Sequence, residues 1–205
     1  MCKFNFLIIS SLFLSVFAIA EEKNLLSPEA MNITSKWELK DGILNPSKKP
    51  GGIIWSKEKY SDFVLTLEYK TSKKCNSGVF FRSNPKNPVQ GGFEIQIASN
   101  DIYSGKHIIG SLYDAKEASE RAGKPDGEWN KMVITCKGPS IKVVLNGKET
   151  VNVNIDEWTT AKKNPDGSKN KFKTALKDLP KTGNIGFQYH GQQVWYRNVS
   201  IKVLK

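Results

Sequence analysis

The chain has 205 residues and a formal charge of +11, long enough for one sizeable hydrophobic core. The charge alone would fit a polyanionic partner, yet 28 of the basic residues are lysines spread along the chain and only three are arginines. Nucleic-acid readers concentrate arginine among stacking aromatics, so no nucleic-acid partner is expected.

The N-terminus reads as a signal peptide over residues 1–20. Lys3 precedes an apolar run from Phe4 to Ile19, and Ala18-Ile19-Ala20 has the small-x-small form of a cleavage site. Glu21, Glu22 and Lys23 follow at once, which argues against a membrane anchor, and the absence of a cysteine at position 21 argues against a lipid anchor. No later stretch approaches the roughly 18–20 apolar residues of a spanning helix, so no membrane insertion is expected. The expected product is one periplasmic or secreted domain over 21–205. Cys75 and Cys136 remain in it. An oxidising compartment permits a disulfide, and two buried free thiols are the alternative; a lone pair is too few for a structural zinc site.

Downstream, alternating runs predict strands over 63–69, 78–82, 93–97, 131–136, 140–145, 186–190 and 199–203, each rich in β-branched and aromatic residues. Asn146-Gly147 marks a hairpin, since both residues accept the positive φ of a type I′ turn. Helical signals are confined to a turn or two over 115–122 and 174–179. The polar, lysine-rich stretch 156–181 reads as a long connection within one domain. Many turn-separated strands without intervening helices predict an all-β fold of two antiparallel sheets.

Alternation also assigns faces, because residues two apart point to the same side of a sheet. Glu94 and Gln96 oppose Phe93, Ile95 and Ile97; Gln188 and His190 oppose Ile185, Phe187 and Tyr189; Glu68 opposes Leu65, Leu67 and Tyr69. Parity places Arg82 with Phe80 and, through Gly78, with Asn76. This set of acids and amides is the vocabulary of a sugar groove, although a half-exposed sheet also alternates. With lysine used nearly everywhere, Arg82, Arg121 and Arg197 stand out as positions where a planar, bidentate donor is wanted.

Several strings combine along the chain: Trp37-Glu38-Leu39-Lys40-Asp41-Gly42, Tyr60 to Leu65 with Glu68, Cys75 to Arg82, Gly92 to Ile97, Gly110-Ser111-Leu112-Tyr113-Asp114, Gly127-Glu128-Trp129-Asn130, Leu145-Asn146-Gly147, Thr182 to Gly191 and Val194 to Val199. In number and order these resemble the bacterial 3-keto-disaccharide hydrolase family. The resemblance implies a concanavalin A-like jelly roll with its site on a concave sheet, and a glycoside or oligosaccharide substrate already oxidised to a ketone at C3. It implies an enzyme in which a base removes the C2 proton, the C1 substituent is eliminated, and water adds afterwards.

By role, Glu94 or His190 is expected as the general base or its acid partner. Arg82, with Asn76 or Gln96, would polarise the enolate oxygen at C3. Tyr113 and Asp114 are placed on a loop over the groove, and Gln188, Trp195 and Arg197 as further sugar contacts. One divalent metal ion held by Glu94 and His190 would do the same enolate-stabilising work, and the sequence leaves the metal open. A classical glycosidase needs two carboxylates about 5–9.5 Å apart; the strand Glu94-x-Gln96 supplies one, and Glu68 would have to be the second. Duller readings stand beside these: Arg197 as a strand anchor, Trp37, Trp55 and Trp129 as core or strand-edge aromatics, His107 as a surface residue. The rival functions are a non-catalytic carbohydrate-binding module, a classical glycosidase and a basic interaction protein. Oligomeric state is not legible.

Overall fold

The computed structural model describes residues 22–47 and 52–205; the signal-peptide reading of 1–20 lies outside them. Among the described residues the chain forms β1 (Glu22–Asn24), β2 (Trp37–Lys40), β3 (Ile43–Pro46), β4 (Gly52–Tyr60), β5 (Phe63–Thr71), β6 (Asn76–Ser83), β7 (Phe93–Ala98), β8 (Asn130–Lys137), β9 (Ser140–Leu145), β10 (Lys148–Asn154), β11 (Gly183–Tyr189) and β12 (Val194–Val203). All pairings between them are antiparallel. The larger sheet runs β10-β9-β8-β5-β12-β3-β2 with β1 also paired to β12, and the smaller runs β4-β11-β6-β7. Two stacked antiparallel sheets of this kind form the concanavalin A-like jelly roll.

The period of two builds the core. In β5, Phe63, Leu65, Leu67 and Tyr69 are fully buried, whereas Val64, Thr66, Glu68 and Lys70 stay partly exposed. Met132, Ile134 and Cys136 of β8 and Ile185, Phe187 and Tyr189 of β11 join the same layer between the sheets. Phe187 packs on Tyr196 at 4.6 Å between ring centroids, and Phe81 stacks on Phe93 at 5.6 Å. No helix among the described residues is long and apolar enough to cross a membrane.

The predicted strands are present, and the Asn146-Gly147 turn has φ of 50° and 84°. The 174–179 signal becomes one 3₁₀ turn, Leu176–Asp178. Residues 115–122 form no helix: Ala115 and Ala118 are buried there, Ala118 N–H donates to Ser111 Oγ and Ser119 N–H to the Thr150 carbonyl. Those partners satisfy the backbone that a helix would have paired internally. Cys75 and Cys136 are buried free thiols, pushed up to about 12 chiefly by burial.

The connection over 156–181 is ordered around Asn164. Its Oδ1 accepts from Trp158 Nε1 and Asn170 Nδ2, both at 2.8 Å, and its Nδ2 donates to Ser168 Oγ at 3.1 Å. This polar knot carries the chain back to the smaller sheet, where it delivers Lys171.

Candidate active site

The outward face of the smaller sheet is hollowed by glycine. Trp55 of β4 pairs with Gly186 of β11, Gly186 with Phe80 of β6, and Phe80 with Glu94 of β7. These residues make one cross-strand row. One row along, Ile53 pairs with Gln188 and Gly78 with Gln96. A Cβ on Gly78 would come within 2.1 Å of Glu94 Oε1, so the carboxylate lies in the space a side chain would fill. Only glycine permits that approach.

Loops roof the acid. Tyr113 N–H donates to the Glu94 carbonyl at 2.9 Å, pinning the 108–114 segment along the free edge of β7. Asp114 then splits its carboxylate: Oδ2 accepts from the Lys171 backbone N–H at 2.6 Å, and Oδ1 lies 3.2 Å from His107 Nε2. The His107 and Tyr113 rings pack at 4.7 Å, and Lys171 Nζ sits 3.5 Å from the Tyr113 ring centroid. Gln90 secures the other side, donating to the Lys171 carbonyl at 3.1 Å and accepting from Lys173 N–H at 2.8 Å. Tyr113, Lys171 and Phe172 thus close the β7 end of the face around Glu94.

This enclosure sets the electrostatics. Burial pushes the Glu94 carboxyl from its ordinary 4.5 up to about 7, with Lys171 pulling part of the way back. Burial lowers the Lys171 ammonium, against the attraction of Glu94 and Asp114. Tyr113 is raised by burial and then by the nearby Glu94 and Asp114. An acid poised near neutrality beside a cation is suited to moving a proton at physiological pH.

The expected site residues divide into two groups. Glu94, Asn76, Gln96, Gln188, Tyr113 and Asp114 come together on or over this face. Gln96 is buried, its Nε2 donating to Asn76 Oδ1 at 2.9 Å and to the Ser77 and Ile97 carbonyls. It is committed to holding Asn76, whose Nδ2 has no partner among the described residues.

The other group is corrected by the geometry. Arg82 is wholly buried at φ 46°. It donates to the Ser61 carbonyl (2.8 Å), the Gly138 carbonyl (2.8 Å) and Asp62 Oδ1 (3.0 Å). The β6–β11 register shifts here, Asn184 pairing with Ser83 but Gly186 with Phe80. That extra residue reverses the parity that sequence alternation assigned.

His190 lies exposed beyond the end of β11. Continuing the register puts it two strands across and four residues along from Glu94, roughly 16 Å at ordinary strand spacing and rise. The two cannot share a metal ion, and among the described residues no three His, Cys, Asp or Glu side chains gather as a ligand set.

Glu68, Trp195 and Arg197 belong to the larger sheet. Arg197 Nε donates to Glu68 Oε2 at 2.7 Å and its guanidinium lies 4.0 Å from the Trp129 ring centroid. Lys70 sits over Trp129 and Trp195 at 5.1 and 4.8 Å. This ladder covers the outer face of the large sheet, so Glu68 is no second carboxylate for Glu94. Alternation tells which side of its own strand a residue takes, not which sheet the strand joins.

Sequence reasoning missed Lys171, His107 and Trp55 as site residues. Lys171 stands among other lysines in an irregular stretch and carried no signal. Trp55 is opposite in parity to the buried Ile54 and Ser56, which would have placed it on the open face.

A sheet face with glycine beneath the acid, and that acid raised toward neutrality under a loop-borne lysine, has the parts of a proton-transfer site on a jelly roll. The chain belongs to the family of the 3-keto-alpha-glucoside-1,2-lyase-like domain, whose model matches residues 26–202. It is 29% identical over 212 residues to a 3-keto-disaccharide hydrolase of Bacteroides thetaiotaomicron, covering 84% of this chain and 71% of that protein. A crystal structure of a proposed glycosyl hydrolase from Parabacteroides distasonis superimposes with a TM-score of 0.84 at 33% identity, covering 90% of this chain and all of the other. The β-glucanase of Bacillus licheniformis shares the fold alone, with a TM-score of 0.50 at 12% identity over 83% of each chain.

Proposed function

We propose that the protein cleaves 3-keto-glycosides, 3-keto-disaccharides among them, with Glu94 as the general base. The observation that carries this reading is one acid on the working face left free of side-chain partners and raised to about 7 by burial, with Lys171 beside it. Its acidic neighbour Asp114 has both oxygens engaged, by His107 and by the Lys171 N–H. Direct glycoside hydrolysis needs two available carboxylates flanking the scissile bond; abstraction of a proton α to a ketone needs one base and a stabilised oxyanion.

In this mechanism Glu94 takes the C2 proton and the C2–H electron pair passes into an enolate on the C3 oxygen. Lys171 Nζ supplies positive charge for that oxygen in a water-poor corner, where such interactions are strongest. The enolate collapses, the C1–O bond breaks, and the departing alcohol takes a proton from solvent. Water then adds across C1=C2, its hydroxyl going to C1 and its remaining proton to solvent, while Glu94 returns a proton to C2, giving net hydrolysis. Asn76 and Gln188 hold sugar hydroxyls, while Tyr113 and Asp114 position Lys171. The family match and the named activity of the Bacteroides thetaiotaomicron relative support the substrate class.

The test is purified protein incubated with 3-keto-glycosides and their unoxidised counterparts, with and without added divalent cations. Release of the aglycone from the keto forms alone is expected, slowed when C2 carries deuterium. Intact 3-keto-glycosides under every condition would overturn the proposal.

A further inference from the structure

Trp55 takes no part in the chemistry above, yet it shares the cross-strand row of Glu94. Its ring lies on bare backbone: a Cβ on Gly186 would meet Trp55 Cε3 and Cζ3 at 2.6 Å. Its edge meets Phe80, with centroids 5.9 Å apart and planes at 63°. The indole remains partly exposed on the open face. The geometry points to Trp55 as the platform for the leaving sugar of a disaccharide substrate, an inference that rests on the reading of the site as a 3-keto-glycoside-cleaving centre.

The backbones of Trp55 and Glu94 lie three strand spacings apart, roughly 14 Å, but the indole leans inward over Gly186 and the carboxylate over Gly78. The gap left between them is shorter than that span, so a ring losing its C2 proton beside Glu94 brings its C1 substituent against Trp55. Direction follows from the walls: Tyr113, Lys171 and Phe172 close the face at β7, so the substituent at C1 runs the other way, toward β4. The chemistry also fits, because one face of a pyranose presents axial C–H groups and an indole offers a broad, electron-rich surface for them.

The experiment compares kcat/KM for a 3-keto-disaccharide with that for the methyl glycoside of the same 3-keto sugar, which has no second ring. Trp55→Ala is expected to reduce the disaccharide-to-methyl ratio about tenfold, mainly through KM for the disaccharide, and Trp55→Phe to restore much of it. An unchanged ratio in Trp55→Ala overturns the inference while leaving the site reading intact, including when both substrates slow equally because the sheet is disturbed. A wild-type protein that cleaves neither substrate overturns the site reading and this inference with it. Should Trp55→Ala fail to fold, Trp55→Leu is read in the same ratio, with the same outcomes deciding.

Discussion

Arg82 reaches from the smaller sheet to Asp62 at the β4–β5 turn, donating at 3.0 Å, and Asp62 in turn accepts from the Gly138 backbone N–H at 3.0 and 3.1 Å. With its further bonds to the Ser61 and Gly138 carbonyls, the guanidinium rivets two turns of the opposing layers. Arg82→Met leaves the Ser61 and Gly138 carbonyls without their donor and Asp62 with Gly138 N–H alone, and is expected to destabilise the fold by about 2–4 kcal/mol in urea unfolding. Turnover per folded molecule should stay near wild type; a selective loss of kcat with normal stability would return Arg82 to the chemistry.

Glu94→Gln removes the base and should lower kcat by about a hundred- to ten-thousand-fold. In the wild type, kcat/KM should rise with pH up to about 7, because the carboxyl held there must lose its proton to act. Stability moves oppositely. The folded carboxyl binds its proton more tightly than the ordinary 4.5 of the unfolded chain, so stability falls as pH rises from 4.5 to about 7. Glu94→Gln should abolish that fall, giving a higher Tm than wild type at pH 8 and no gain at pH 4.

Lys171 lowers the Glu94 carboxyl against the effect of burial. Lys171→Met should therefore shift the acidic limb of the pH–rate profile upward, in addition to reducing kcat, whereas Lys171→Arg should keep the limb in place. A profile identical to wild type in the methionine variant would remove Lys171 from the site.

Gly78→Ala introduces a methyl 2.1 Å from Glu94 Oε1. The carboxylate must swing away, and a displacement of that order should cost about a hundredfold in kcat. Stability to thermal unfolding should fall only by the amount overpacking costs, about 1–3 kcal/mol, so the protein stays folded while activity is lost.

Glu68→Gln should leave cleavage of 3-keto-glycosides unchanged and alter stability by no more than about 1 kcal/mol, the range of a partly exposed ion pair. Loss of activity in this variant would favour a two-carboxylate glycosidase instead.

Much of this architecture was legible in the sequence because period-two burial is strong in β5, β7, β8 and β11. The same rule put Glu94, Gln188 and Asn76 on a common face. It failed where strand geometry departs from simple alternation. The irregularity at Arg82 turned that side chain inward, and β11 ended one residue before His190. Pairing order was also invisible, so Glu68, correctly turned away from the core, was credited to the wrong layer, as were Trp195 and Arg197. Lys171 reaches Glu94 through the Asn164 knot, whose long-range hydrogen bonds leave no local pattern.

β12 lies in the interior of the large sheet, between β5 and β3, with Val203 paired to Phe63. A ribosome must therefore deliver residue 203 before that layer can close. Until then β5 and β3 present unpaired facing edges, which are prone to join the wrong partner. Pairings over such long sequence separations are the kind that form late in folding. A chain that ends before Val194 lacks this interior strand and leaves the edges of β5 and β3 open.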